Sequence, residues 1–233
     1  MSPADADLER LIADHGLGAG ALEPLTALLD SLAEDDRAPT AVRERRRVLD
    51  DHLADSLAGL AVAVPDDAGA IVDIGSGAGL PGLVAAVARP RARVTLVESQ
   101  FRKCAFIEVV ARRMGIGNAV VHCGRIEEWR EGLGAADAVL ARALGPQPVV
   151  LEYAAPVLGI GGVLADWRGR RNPAEEAAAG RAAALLGLRL REIRSVEPFS
   201  GARDRHVHVF EKTTATPGHL PRRAGAARKR PLG

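Results

Sequence analysis

Two carboxylates and a run of glycines make the chemically loaded stretch of this chain. Asp73 lies within an apolar run, Ile71-Val72-Asp73-Ile74, that passes directly into Gly75-Ser76-Gly77-Ala78-Gly79-Leu80-Pro81-Gly82. Glu98 closes a second apolar run 25 positions after Asp73. Glycines at alternate positions straight after a strand let the backbone approach a ligand that any Cβ would hold off. At the first crossover of a doubly wound sheet, that ligand is a nucleotide.

The charge of the site bears on which nucleotide. Gly77-x-Gly79-x-x-Gly82 matches the dinucleotide fingerprint literally, so an NAD(P)-dependent oxidoreductase is one reading. Its register differs, because Gly75 takes the place of the first glycine and the residue three beyond Gly77 is Leu80. A pyrophosphate gains nothing from the neighbouring Asp73 carboxylate. S-adenosyl-L-methionine carries a sulfonium and an ammonium, which that carboxylate attracts. The structural alternative for Asp73 is a hydrogen-bonded turn residue. Glu98 is placed to accept from ribose hydroxyls in either cofactor class. Further on, Gly124-Arg125-Ile126-Glu127 sets an apolar side chain beside an acid, which suits an adenine and equally suits an exposed helix start.

The fourth apolar run, Ala138–Ala141, leads into Arg142-Ala143-Leu144-Gly145-Pro146. Methylation of exocyclic base amines typically uses Asp/Asn-Pro-Pro-Tyr/Phe at this place, and none is present. Methylation of pyrimidine C5 needs a cysteine nucleophile, and neither Cys104 nor Cys123 is near this strand end in sequence. A ring nitrogen such as guanine N7 already exposes a lone pair, so its methylation asks for alignment more than for a general base. Arg142 is the candidate catalytic residue. Its planar fork fits guanine O6, a phosphate, the donor's carboxylate or a structural acid. His52-Leu53-Ala54-Asp55-Ser56 contains the residue types of a hydrolytic triad, but on one short helical stretch, whereas a triad is assembled from separate elements. His52 and Ser56, four apart, are expected to lock that helix against the sheet. Cys104 and Cys123 lack the spacing of a zinc site or a redox dithiol and are expected as separate small residues. No metal is expected.

The elements needed to hold these residues are legible in the periodicity. Leu8, Leu11, Ile12, Leu25, Leu28, Leu29 and Leu32 recur at helical spacing. A further helix is expected after Pro39, with Thr40 as N-cap and Glu44 near N3, carrying Arg43 and Arg45–Arg47. From residue 70, short apolar runs at 70–74, 94–97, 120–121, 138–141, 162–165 and 207–210 alternate with helical stretches at 82–88, 103–114, 149–158 and 174–186. This predicts βαβ units and a mostly parallel, doubly wound α/β sheet. Pro81 is expected at the first position of the helix that follows the glycine loop. The organisation expected is an N-terminal helical cap (1–68), a nucleotide-binding domain (69–212) and a basic extended tail (213–233).

Composition agrees with a globular chain: 233 residues, 47% hydrophobic, 26% charged, net charge +1. The even balance hides a gradient, with −8 over residues 1–36 and +6 over residues 212–233. The acidic start, Met1-Ser2-Pro3-Ala4-Asp5, is unlike a secretory leader, and no apolar run approaches bilayer length. A cytoplasmic protein without membrane contact is expected. A basic Arg- and Pro-bearing tail is either solvated or contacts a polyanion.

Taken together, His52-x-x-Asp55-Ser56-Leu57, Asp73-Ile-Gly-Ser-Gly-Ala-Gly-Leu-Pro-Gly82, Val97-Glu98-Ser99 with Lys103 and Phe106, Arg125-Ile126-Glu127, Ala141-Arg142-Ala143 and Gly161-Gly162 resemble the RsmG (GidB) family of bacterial 16S rRNA guanine-N7 methyltransferases. The resemblance spans roughly residues 25–212. It implies a class I (Rossmann-like) methyltransferase fold and S-adenosyl-L-methionine as cofactor. It further implies donor contacts at Gly75, Leu80, Ile126, Glu127 and Arg142 with Glu98 at the ribose, alongside Asp73, Gly77 and Gly79 of the loop. The expected partner is 16S rRNA in the small ribosomal subunit, near the decoding region, met by a monomer. Arg168, Arg222 and Arg223 are the RNA-binding candidates, with the Arg43–Arg47 run beside them. Ala38-Pro39-Thr40, Arg168-Gly169 and Arg203–His206 depart from the family pattern, all on the RNA-facing side. A non-catalytic RNA-binding or ribosome-assembly factor with a relict methyltransferase fold is the non-enzymatic alternative.

Overall fold

Strands covered on both faces need near-continuous apolar runs, and the central ones here have them: β1 (Ala70–Ile74), β2 (Arg93–Glu98), β4 (Ala136–Arg142) and β5 (Leu158–Arg168) are buried along most of their length. With β3 (Ala119–Cys123), β6 (Leu188–Ser195) and β7 (His206–Lys212) they form one sheet in the order β3-β2-β1-β4-β5-β7-β6. The first five strands in that order are parallel. Only β7 reverses, pairing antiparallel with β5 and β6. The computed structural model describes residues 3–233, with side chains from residue 6; the expectation drawn from the acidic start falls partly on Met1 and Ser2, outside the described residues.

Alternation of side chains along each strand divides the core in two. Ile71, Leu96, Leu140 and Ala165 face one side, against α5 (Gly82–Ala88), α6 (Phe101–Arg113) and the N-terminal helices. Val72, Ile74, Val139 and Leu164 face the other, against α7 (Gln147–Ala154) and α8 (Pro173–Leu186). The N-terminal helices, α1 (Pro3–Asp14) and α2 (Leu22–Glu34), bury Leu25, Leu28, Leu29 and Leu32 completely in the first of these cores. A composite helix follows, with α3 (Arg45–Val48) running through a π-helical turn, Leu49–Ala54, into α4 (Asp55–Ala63). Such π turns recur at functional sites, and this one carries His52 to the edge of the sheet's carboxyl end.

Several expectations need correction. The composite helix starts at Arg45, not after Thr40: Glu44 is the N-cap and accepts from the Arg46 and Arg47 N–H groups at 2.8 Å each. Thr40 instead accepts from the Val42 N–H at 3.1 Å and pairs with His52 Nε2 at 3.0 Å. The arginine run is largely neutralised locally, Arg45 by Asp30, Arg46 by Asp7 and Asp50, and Arg47 by Asp51. Pro81 occupies the N-cap of α5 rather than its first turn. The helix expected to reach residue 158 ends at Ala154, and β5 starts at Leu158. The edge strand β6 was not expected, because Arg189, Arg191 and Arg194 break any apolar run there.

Two corrections concern long-range contacts. Cys104 and Cys123 are bonded to each other, with Cα atoms 5.8 Å apart. Cys123 lies opposite Glu98 in the β2–β3 register, and the first turn of α6 returns over that position, so the fold joins residues 19 apart in sequence. The tail is packed rather than extended: Leu220 and Leu232 rest against the second core, and a short helix, α9 (Ala226–Lys229), buries Ala227. Among the described residues no helix is long and apolar enough to cross a membrane.

Candidate active site

β1 is the strand from which the chain crosses to β2 on one side and later to β4 on the other. Ligands of open α/β sheets dock in the crevice this reversal leaves at the strands' carboxyl ends, and two cavities lie there side by side.

The first, of about 340 Å³, is lined by Gly75, Val97, Ser99, Gln100, residues 124–127 and Leu144, closed on its outer side by Tyr153 and Arg228. The loop beneath it is pinned by carboxylates. Asp73 Oδ2 accepts the Gly82 N–H at 3.0 Å, and Glu98 Oε2 accepts the Gly77 N–H at 3.0 Å while its other oxygen accepts the Gln100 N–H at 2.8 Å. Gly75 and Gly77 both have positive φ, +70° and +58°, which disfavours any side chain. A Cβ on Gly75 would lie 2.3 Å from Leu144, whereas a Cβ on Gly77 would meet only the Gly75 carbonyl oxygen, at 3.9 Å.

Asp73 sets the charge beneath the glycine loop. The residue is buried, and its Oδ1 has no hydrogen-bond partner. Burial pushes its pKa up to about 6, against the stabilising bonds from Ser76 and Gly82. An orphaned carboxylate oxygen beneath a glycine loop fits a cationic, phosphate-free ligand, since a cation both satisfies it and restores its charge. A pyrophosphate would meet repulsion there. The residues present therefore fit S-adenosyl-L-methionine: Asp73 toward the cationic end, Glu98 at the ribose, Ile126 and Leu144 against the base. Ile126 sits partly buried in the 3₁₀ turn Ile126–Glu128. Glu127 lines the pocket but is already engaged, its Oε1 accepting the Gly225 N–H at 2.8 Å.

The second cavity, of about 300 Å³, is lined by Asp55, Arg142, Ala143, Trp167, residues 168–170 and Arg205. Arg142 thus opens on this side and does not line the first cavity. It is held by the cap, donating to Asp55 Oδ2 at 3.2 Å and to Ser56 Oγ at 3.4 Å. Burial lowers the pKa of Arg142 and raises that of Asp55, while their pairing opposes both shifts. Trp167 Nε1 donates to the Asp55 carbonyl at 3.0 Å, and Arg205 reaches Asp51 Oδ1 at 2.8 Å. The expected locking of the cap to the sheet therefore passes through Ser56, Asp55 and Arg142. His52 stays neutral, driven down to about 4 by burial and the Arg142 charge. Immediately after Arg142, Ala143 adopts φ +54°, a conformation costing of order 1 kcal/mol for a non-glycine residue that persists where the surroundings enforce it.

Arg168 faces the same cavity while donating to the Gly145 carbonyl at 2.8 Å and pairing with Glu175. Arg222 is far from it, clamped on Glu152; Arg223 is exposed.

Comparison with known proteins gives the family. The family model described as "GidB: rRNA small subunit methyltransferase G" matches residues 23–207. The chain belongs to that family. It is 38% identical to the ribosomal RNA small subunit methyltransferase G of Synechococcus elongatus over 83% of this chain and 82% of that one. The Deinococcus radiodurans protein of the same name is 34% identical over 100% of this chain and 94% of that one. Solved structures show the fold alone. A chain of the complex between the Haloferax volcanii Trm112 methyltransferase activator and the putative methyltransferase aligns with a TM-score of 0.58 at 14% identity, covering 80% of this chain and 98% of that one. Aeropyrum pernix fibrillarin, solved with natively bound S-adenosyl-L-methionine, aligns at 0.54 and 18% identity, covering 68% and 73%.

The sequence reading missed Trp167, Tyr153 and Arg228, and met Arg205 only within the Arg203–His206 segment that departs from the family pattern. The first three belong to no local motif; each is brought in by a different strand, helix or terminal segment, so no spacing could have flagged it.

Proposed function

We propose that this protein transfers a methyl group from S-adenosyl-L-methionine to N7 of a guanine in 16S rRNA of the small ribosomal subunit, near the decoding region. The observation that carries the reading is the buried, unpartnered Oδ1 of Asp73 under the glycine loop, next to a cavity walled by arginines. When bound, the donor supplies an electrophilic methyl group on a sulfonium.

In this reading Asp73 receives the donor's ammonium through Oδ1, and Glu98 fixes the ribose. The guanine enters the second cavity, its O6 or the adjoining phosphate met by Arg142, with Arg168 and Arg170 on the flanking backbone. Guanine N7 would present its own lone pair to the methyl group that the donor supplies, so no proton has to leave the ring. A general base is unnecessary, consistent with the neutral, inward-tied His52. Rate comes from alignment and from exclusion of water. Both cavities are lined by one chain, so a single copy suffices, acting in the cytoplasm where subunits are assembled.

Incubation with labelled donor and unmodified small subunits, followed by cleavage at N7-methylguanine, tests the reading. Label at one guanine is the expected result. RNA binding without label would instead support a non-catalytic assembly role.

A further inference from the structure

The final segment of the chain lies beyond the family match, which ends at residue 207. We propose that residues 217–233 are the outer wall of the donor pocket, and that Arg228 is a donor-contacting residue that lies over the adenine of the bound donor. This inference rests on the first cavity being the donor site.

The segment is fastened along its whole length. Thr216 Oγ1 donates to the Ala155 carbonyl at 2.9 Å just before it begins. Arg222 then grips Glu152 through two nitrogens, Nε at 2.6 Å from Oε1 and a terminal nitrogen on Oε2. Glu152 is only 3% exposed, and a buried carboxylate requires a paired, hydrogen-bonding cation. The bidentate fork of arginine meets that need. Gly225 donates to Glu127, Ala227 is 2% exposed, and an Arg228 terminal nitrogen donates to the Leu144 carbonyl at 3.0 Å. A solvated arm awaiting RNA would neither bury Ala227 nor pair Arg222 with a buried acid.

What the segment covers gives it a role. Arg228 and Tyr153 line the same cavity as Gly75, Val97 and Ile126. Asp73 and Glu98 pin the glycine loop that supplies Gly75 to that cavity, so the donor's cationic end belongs on the loop side and its adenine toward Ile126 and Leu144. A planar guanidinium next to a purine stacks on its face, and at this end it is remote from the sulfonium it would otherwise repel. Glu127, the acid beside Ile126, is committed to holding the segment through Gly225.

Calorimetry on the full chain tests this with S-adenosylhomocysteine and with 5′-methylthioadenosine, which keeps the adenosyl group and lacks the amino acid. Arg228→Met is expected to weaken both ligands by the same factor, about tenfold, with the unfolding midpoint unchanged. Arg228→Lys, which keeps charge without the plane, is expected to behave like Arg228→Met. In steady state, Arg228→Met raises the donor's KM and leaves that of the subunit unchanged. Wild-type-like affinity of Arg228→Met and Arg228→Lys for both ligands overturns the inference, as does weakening confined to S-adenosylhomocysteine. Failure of the wild-type chain to bind either ligand would overturn the donor site itself, a separate result.

Discussion

The two cavities above the strand ends are a few residues apart and differ in what stands around them. Beside the first lies the glycine loop, pinned by the buried carboxylates of Asp73 and Glu98, and Asp73 keeps one oxygen unpaired. The other side is made from guanidiniums, Arg142, Arg168, Arg170 and Arg205, held in place by Asp55, Asp51, Glu175 and Asp204. On the function proposed above, a cationic cofactor and a polyanionic substrate would meet different surroundings. The acids of the cap, which dominate the N-terminal charge balance, serve as much to orient arginines as to solvate the surface.

That contrast can be broken at several points. The largest effect is expected for Asp55→Ala, which strands the buried Arg142 charge; by analogy with other severed buried pairs it should remove about 3–5 kcal/mol of stability, measurable by urea unfolding. Gly77→Val puts a branched side chain at a positive-φ position of the glycine loop, where Glu98 holds the backbone N–H, and should weaken S-adenosylhomocysteine binding more than about 100-fold, or about 2.7 kcal/mol, in calorimetry. Arg142→Lys keeps the charge and loses the fork; a drop in methyl transfer of roughly 30-fold, about 2 kcal/mol, is expected with donor affinity within about threefold of wild type. A parallel loss of donor affinity would move Arg142 to the donor side.

Smaller effects sharpen the comparison. A donor's ammonium binds ionised Asp73, whose pKa is raised to about 6 by burial. Donor affinity should therefore climb with pH, about tenfold per unit below that value, and level off above it. Asp73→Asn should flatten the profile. The same raised pKa works oppositely on the free protein: the folded state holds the proton more tightly than the unfolded one, so this group's contribution to stability is lost as pH rises from about 4 through 6. Arg223→Ala is expected to be the mildest change, lowering RNA affinity by less than about threefold and reducing its salt dependence slightly, with donor binding and stability unaltered. Arg222→Ala, by contrast, should destabilise the chain because it leaves Glu152 buried and unpaired.

Much of this was readable in one dimension. Glycine spacing after β1, the acid closing β2 and the apolar runs of the central strands are local signals, because a strand buried on both faces and a loop that touches a ligand each restrict residue type position by position. Edge strand β6 was hidden because half-exposed strands rich in arginine carry no such restriction. The N-cap was misplaced by four residues because Thr40 and Glu44 are both competent caps, and only the pairing of Thr40 with His52 removes the ambiguity.

What the sequence alone determined is the class of fold, the glycine loop with its two carboxylates, and the family. What only the tertiary structure decided is how groups are partnered across the chain: Arg142 with the cap, Arg222 with Glu152, Cys104 with Cys123, and the terminal segment with the edge of the cavity beside that loop. The reason is physical. A periodic pattern records which groups must leave water, residue by residue, but the partner that makes burial of a charge tolerable can lie 70 or 87 positions away, where no local spacing reports it.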